Sequence, residues 1–120
     1  MKERYYNIII RKEGYSYNEG FLKAKFDEKK QIIKMIGMLT EDVIIIDFVK
    51  DVFVFGYYEY NEFQDNNELT FRAIIEKDKF MIPGCYKYQD LTIDISSEVK
   101  DQKKIEMYDQ IYKLYIGDES

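Results

Sequence analysis

The segment from Tyr57 to Glu68 is the part of the sequence whose residue types point most clearly to molecular recognition. It reads YYEYNEFQDNNE and combines four aromatic residues with four acidic ones, without any lysine or arginine. Tyrosine is rigid and amphipathic and is enriched at binding hot spots, and carboxylates beside it attract a basic partner. We therefore predict a surface that binds a basic protein partner, formed by Tyr57, Glu59, Tyr60, Glu62, Phe63, Asp65 and Glu68.

A plainer interpretation of the same segment is also open. If the segment begins as a strand, alternation turns Tyr58 and Tyr60 towards the core and Tyr57 and Glu59 towards water. The polar residues that follow would then form only a solvated loop.

Side chains that could perform catalysis are scarce. The chain has no histidine, which removes the commonest general base, the commonest transition-metal ligand and the histidine-activated nucleophiles. Its single cysteine, Cys85, cannot build a structural zinc site and has no histidine to activate it. Acid-x-Lys patterns typical of carboxylate-metal nucleases recur in a chain that is 34% charged, so they carry little information. We predict a protein that is not an enzyme and that uses no cofactor and no metal ion.

The carboxylate with the most unusual surroundings in the sequence is Asp47, which has apolar residues on both sides within the run Val43–Phe55. A buried carboxylate needs a partner or a raised pKa, and either can mark a functional site. In a strand, Asp47 shares a face with Val43, Ile45 and Val49, so its burial depends on whether that face packs on the core. The position is equally compatible with an exposed edge.

A second functional hypothesis is a protein that binds or sequesters a small ligand, such as a nucleotide or an anion. The ligand would lie in a pocket inside a curved sheet, lined by tyrosines, with Arg72 as the anchor for its negative charge. The exposed edges expected of an open sheet also allow a homo-oligomer.

Length and composition indicate one globular domain over residues 1–120. A chain of 14.5 kDa with 46% hydrophobic residues can bury an independent core. No apolar run approaches the ~20 residues that a membrane span requires, so we expect no membrane association. A single cysteine excludes an intrachain disulfide framework and favours a reducing compartment, which predicts a cytoplasmic protein.

The net charge of −5 is unevenly distributed along the chain. Residues 1–34 contain nine basic and five acidic residues, whereas residues 35–120 contain nine basic and eighteen acidic residues. Affinity for duplex nucleic acid comes mainly from neutralising its phosphates. The acidic remainder therefore argues against a protein that binds duplex nucleic acid.

Alternating β-branched and aromatic residues predict several strands. The clearest are Arg4–Lys12, Phe21–Phe26, Leu69–Glu76 and Leu91–Ser96, with a polar loop over Asn61–Glu68. Residues 31–39 and 41–53 also show helical spacing of their apolar residues, so either structure is open there. Their many β-branched residues favour strands, and in the second region we expect two strands that turn near Lys50 and Asp51.

The sequence predicts one amphipathic helix, from Glu98 to Ile116. Ser96 or Ser97 would cap its start and Gly117 would end it, while Asp109 and Lys113 form an i, i+4 pair. Its apolar stripe consists of Ile105, Tyr108, Tyr112, Tyr115 and Ile116, widened by Met107, Ile111 and Leu114.

About six to eight short strands followed by one helix predict an α+β fold. We expect a curved antiparallel sheet or a small β-barrel, with the C-terminal helix (98–116) laid across it. This order of elements resembles that of pleckstrin-homology-type domains, in which a C-terminal helix plugs one end of a barrel. The likeness is one of layout and is not accompanied by a sequence motif.

Overall fold

The computed structural model describes residues 3–12, 17–29, 31–39, 42–49 and 52–117. These residues form eight β-strands and one α-helix, α1 (Gln102–Tyr115), and they include a short 3-10 helix at Lys77–Lys79. The strands are β1 (Arg4–Lys12), β2 (Tyr17–Phe26), β3 (Ile32–Leu39), β4 (Asp42–Val49), β5 (Val52–Asn61), β6 (Asn66–Glu76), β7 (Gly84–Tyr88) and β8 (Leu91–Glu98). The α+β prediction is confirmed.

The eight strands belong to one antiparallel sheet with the order β6-β5-β4-β3-β2-β1-β8-β7. The sheet curls into a half-barrel, and β6 and β7 form its two edges. The curl brings the two ends of the sheet towards each other. Phe53 of β5 stacks on Phe80 with ring centroids 4.0 Å apart, and Phe80 stacks on Tyr86 of β7 at 5.6 Å.

The concave face of the half-barrel holds the larger hydrophobic core. Side chains alternate along a strand, so β1 turns Tyr6, Ile8 and Ile10 to this face. The buried members from the other strands are Leu22, Ala24, Met35, Leu39, Ile44, Ile46, Phe53, Phe55, Ile93 and Ile95. Because each large apolar side chain contributes about 1.5–3 kcal/mol on full burial, this cluster is the main source of stability.

Helix α1 covers the opposite, convex face of the sheet. Its side chains Ile105, Tyr108, Ile111, Tyr112 and Ile116 pack with Tyr5, Phe21, Ile36, Met38 and Val99 in a second cluster. The helix therefore lies across a face of the sheet, as expected for the curved-sheet alternative. It does not plug the end of a barrel as in the pleckstrin-homology-type layout.

Two glycines permit the close approach of β2 and β3. A β-carbon at Gly20 would lie 1.7 Å from the carbonyl oxygen of Met38. A β-carbon at Gly37 would lie 1.7 Å from the carbonyl oxygen of Phe21. Both obstructing atoms are backbone atoms that cannot rotate away, so the sheet can coil at this place only because neither residue has a side chain.

The two regions left open by the sequence are both strands. Residues 31–39 contain β3, and residues 41–53 contain β4 and the beginning of β5. The antiparallel ladder between β4 and β5 extends to the pair Val49 and Val52. The run of β-branched residues, which pack well on a pleated surface, thus outweighs the helical spacing. The turn predicted at Lys50 and Asp51 lies outside the described residues.

The predicted start of the helix is wrong. Helix α1 begins at Gln102, because β8 continues as far as Glu98. The N-cap is Asp101, whose carboxylate accepts a hydrogen bond from the backbone N–H of Lys103 at 3.0 Å. An acidic cap satisfies one of the free N–H groups of the first turn, as a serine would have done.

Ser96 and Ser97, the predicted caps, belong to β8. The hydroxyl oxygen of Ser96 accepts a hydrogen bond from the backbone N–H of Asn7 in β1 at 2.9 Å, and the hydroxyl donates to the carbonyl oxygen of Ser97 at 2.7 Å. The Ser96 hydroxyl thus uses its hydrogen-bonding capacity within the sheet and is not available to cap a helix.

The packed side of the helix is narrower than predicted. Met107, Leu114 and Tyr115 are 48%, 75% and 64% exposed, whereas Tyr112 is buried. Gly117 follows the helix with φ +84°, and its N–H donates to the carbonyl oxygen of Tyr112 at 3.0 Å, as expected for a glycine stop. Strand β7 was not predicted.

Candidate functional site

The segment Tyr57–Glu68 forms the end of the hairpin between β5 and β6, and we call it the acidic hairpin. The predicted loop Asn61–Glu68 is wrong in extent, because β5 continues to Asn61 and β6 begins at Asn66. The ladder ends with these two residues as partners, which leaves a turn over residues 62–65. Asp65 has φ +52°, a left-handed conformation that aspartate tolerates better than most residues.

The turn presents an aromatic side chain to solvent among acidic ones. Phe63 is 100% exposed, and Glu62, Asp65 and Glu68 are exposed as well. Burial of a phenylalanine ring contributes about 1.5–3 kcal/mol, and at 100% exposure the ring of Phe63 remains in contact with water. The structure therefore brings four of the predicted surface residues together at the end of this hairpin: Glu62, Phe63, Asp65 and Glu68.

The remaining predicted surface residues, Tyr57, Glu59 and Tyr60, lie in β5, where the structure describes their backbone and not their side chains. The ladder pairs Glu59 with Glu68, so two acidic residues occupy opposed positions. The register shifts between Tyr57 and Tyr58, which marks an irregularity of the kind found where a strand redirects its side chains.

A cleft of about 390 Å³ opens between the two edges of the half-barrel. Ile74, Ile75 and Glu76 of β6 line one side, and Cys85, Tyr86 and Lys87 of β7 line the other. Lys79, Met81, Gly84 and Ile93 complete the lining. The charges of Glu76 and Lys79 neutralise each other in a salt bridge of 3.2 Å. The lining of the cleft thus combines apolar side chains with the Glu76–Lys79 ion pair and Lys87.

Arg72, the predicted anion anchor, lies in β6 and pairs with Gly56. Because side chains alternate along β5, this position belongs to the face opposite Phe53 and Phe55, which point into the concave core. The side chain of Arg72 is outside the described set.

A group of polar side chains fastens α1 to the sheet. The hydroxyl of Tyr5 donates to the carboxylate of Asp109 at 2.9 Å. Lys23 Nζ lies 3.7 Å and Lys113 Nζ 3.0 Å from the same carboxylate. Lys23 also lies 4.3 Å from the centre of the Tyr112 ring, close enough for a cation–π contact. Sequence reasoning found only the pair Asp109–Lys113, since the other members come from distant strands.

The ionisation of this group fits a structural role. Burial and the hydrogen bond to Asp109 raise the pKa of Tyr5 well above its ordinary value. Hydrogen bonds from Lys113 and Tyr5 lower the pKa of Asp109. Near neutral pH the phenol is therefore protonated and the carboxylate ionised, so neither is poised to exchange a proton with a substrate.

Asp47 is solvated. Its side chain is 46% exposed, and Lys34 Nζ lies 3.8 Å from its carboxylate on the neighbouring strand. Positions Val43 and Ile45 on the same face pack against the helix-side cluster, so the packed part of this face ends before Asp47. The residue has the surroundings of an ordinary surface carboxylate.

Cys85 is exposed and sits at the edge of the cleft. Hydrogen bonding to Asp94, together with partial burial, raises the pKa of its thiol. Asp94 is itself held by Arg11, with 2.5 Å between the nearest nitrogen and oxygen atoms. Because the thiolate is the reactive form, this environment makes Cys85 a weaker nucleophile than a free cysteine.

Among the residues that the structure describes, no group of three or more cysteine, aspartate or glutamate side chains is arranged to hold a metal ion. Within the same ranges, no helix is long and apolar enough to cross a membrane.

Comparisons of the chain with protein-family models, with curated proteins and with solved structures gave no significant match.

Proposed function

We propose that this protein is a non-catalytic binding protein, of the inhibitor or immunity type, that engages a basic protein partner through the acidic hairpin. The observation that carries the proposal is the complete exposure of Phe63 among exposed acidic side chains. The absence of histidine from the sequence supports a role without catalysis.

The two kinds of side chain would contribute to binding in different ways. The acidic hairpin carries four formal negative charges and no positive one, so it would accelerate association with a basic surface. This steering weakens as salt screens the charges. Phe63 would supply affinity, because burial in an apolar recess of the partner removes its ring from water.

The test is capture of partners from native lysate by immobilised protein, with identification of what is retained. The variant Glu62→Lys, Asp65→Lys, Glu68→Lys reverses the charge of the hairpin. The matched control Glu28→Lys, Asp90→Lys, Glu106→Lys changes the net charge equally at exposed sites elsewhere.

We expect wild type and control to retain the same basic proteins at low salt and to release them as salt rises. The hairpin variant should lose them. For a purified partner, Phe63→Ala should weaken binding by about 30-fold, which corresponds to a hot spot of ~2 kcal/mol. Equal retention by the hairpin variant and the control would contradict the proposal.

The second candidate function is binding of a small ligand, and the observation that favours it is the cleft between β6 and β7. Its volume of about 390 Å³ falls within the ordinary range for small-molecule sites. A thermal-shift screen with nucleotides, phosphate and sulfate provides the test, since a ligand of the folded state must raise the melting temperature. No rise with any of these compounds would count against it.

The proposed place of action is the cytoplasm. Cys85 is the only cysteine of the chain, and its thiol is exposed and free, which fits a reducing compartment.

A further inference from the structure

The edge strand β6 offers a second surface, separate from the acidic hairpin. In the part of the chain that the structure describes, β6 pairs with β5 on one side and with no strand on the other. An open edge leaves backbone N–H and C=O groups free to pair with another strand. Ile74, in the C-terminal half of β6, is 60% exposed. It lines the cleft together with Met81, which is 65% exposed.

The last five residues of β6, Arg72–Glu76, are self-complementary in sequence. If two copies run antiparallel with Ile74 opposite itself, Arg72 of each copy comes opposite Glu76 of the other. The same register places Ala73 opposite Ile75. Opposite charges and apolar residues at opposed positions stabilise an antiparallel pair, and here both combinations occur twice because of the twofold symmetry.

Two other twofold registers of β6 fit less well. With Arg72 on the axis, arginine would face arginine and Glu68 would face Glu76, which are repulsive pairs. An axis at Thr70 would oppose Glu68 and Arg72, but the ladder of β6 is irregular there. Leu69 and Phe71 pair with consecutive residues of β5, so Thr70 is the extra residue of a bulge.

The other edge strand does not show this property. An antiparallel pairing of β7 with itself about Tyr86 would oppose Cys85 with Lys87 and Gly84 with Tyr88, without a pair of opposite charges. The helix face with Met107 and Leu114 is also exposed, but it offers no open backbone groups.

We propose that two copies of this protein associate through antiparallel pairing of residues 72–76 of β6, about a twofold axis at Ile74. The pairing joins the two half-barrels into one continuous sheet. The ladder is short and the surface it buries is small, so the dimer is weak, with a dissociation constant on the order of 100 µM.

Sedimentation equilibrium over a range of concentrations tests the proposal with the full chain. We expect the mass to rise with concentration from 14.5 kDa towards twice that value. The variants Arg72→Glu and Glu76→Arg should each weaken the dimer by about tenfold, because they oppose like charges. In the double variant Arg72→Glu, Glu76→Arg, positions 72 and 76 again carry opposite charges in this register, so the double variant should recover the wild-type constant.

A second comparison distinguishes this edge from the helix face. Ile74→Lys places two ammonium groups on the axis and should abolish the dimer, whereas Leu114→Lys, an equivalent change at a residue 75% exposed, should leave it intact. Both sites are exposed, so both variants should fold. A wild-type protein that is monomeric at every concentration would overturn the proposal. A double variant that does not regain the wild-type dissociation constant would also overturn it, as would a dimer that is lost in Leu114→Lys but not in Ile74→Lys.

Discussion

The hydrogen bond between Tyr5 and Asp109 yields a quantitative prediction about the docking of the helix. Tyr5→Phe removes one hydroxyl from a side chain that is 1% exposed and leaves its ring in place. A hydrogen bond to a charged group contributes about 1.5–3 kcal/mol. In the variant, the Asp109 side chain, which is 30% exposed, still has its salt bridge with Lys113. Water and this lysine therefore compensate for part of the lost hydrogen-bond energy. We expect the free energy of unfolding to fall by about 1.5 kcal/mol.

Urea denaturation measures this change. For an m-value of about 1.5 kcal/mol/M, the midpoint should fall by about 1 M with little change in m. Tyr115→Phe is the matched control, because this tyrosine is 64% exposed and its change should cost less than about 0.5 kcal/mol. A double-mutant cycle with Asp109→Asn should give a coupling energy of about 1 kcal/mol between Tyr5 and Asp109.

The dependence on pH follows from the lowered pKa of Asp109. A carboxylate whose pKa is lower in the folded state contributes stability above its unfolded pKa, which is about 3.9, and this contribution is lost as the pH falls through the folded value. The difference between wild type and Tyr5→Phe should therefore be complete near pH 7 and become smaller in acid. An unchanged midpoint for Tyr5→Phe, or additive effects in the cycle, would refute a stabilising role for the hydrogen bond between Tyr5 and Asp109.

Two further outcomes follow from other parts of the structure. Hydrogen bonding to Asp94 and burial raise the pKa of Cys85, so iodoacetamide should modify Cys85 at pH 8 more slowly than it modifies a cysteine in a short peptide. Asp94→Asn should speed the reaction. Equal rates for the wild type and this variant would contradict the role of Asp94. In urea denaturation, Gly37→Ala should lower the free energy of unfolding by more than about 3 kcal/mol, because the added β-carbon meets a carbonyl oxygen. Gly117→Ala should cost about 1 kcal/mol, since a β-carbon there has nothing within 4 Å and only the φ of +84° is unfavourable. Similar midpoints for the two alanine variants would show that the strands can move apart.

Local sequence was sufficient to predict most strands of the sheet. Arg4–Lys12 is a strand over the predicted residues, and the β-branched run through Ile44 and Ile46 decided correctly between strand and helix. These regions pack their side chains against neighbours on both faces, so propensity and burial favour the same structure.

The errors occurred where several residues could make the same interaction. Ser96, Ser97 and Asp101 are all good helix caps, and only the pairing of β8 with β1 shows that the serines belong to a strand. Strand β7, from Gly84 to Tyr88, is short, has no β-branched residue and begins within Pro83-Gly84, so its local sequence favours a loop.

The candidate sites were predictable to different degrees. The acidic hairpin could be found from sequence because its residues are contiguous. The cleft could not, because it exists only where the curl brings β6 and β7 to the same opening. The same holds for the contact of Tyr5 with Lys23 and Asp109, which joins residues far apart in the chain.

The order of the strands also determines the order in which the chain can fold. From β1 to β6 every strand pairs with the next one in sequence, so each hairpin closes a short loop. The ladder between β1 and β8 is different, since it joins Tyr6 to Glu98 across most of the chain. Closing this long loop costs more chain entropy, and we expect it to come last. During synthesis on the ribosome, the meander from β1 to β6 would therefore expose both of its edges until β8 and the helix have emerged to cover β1.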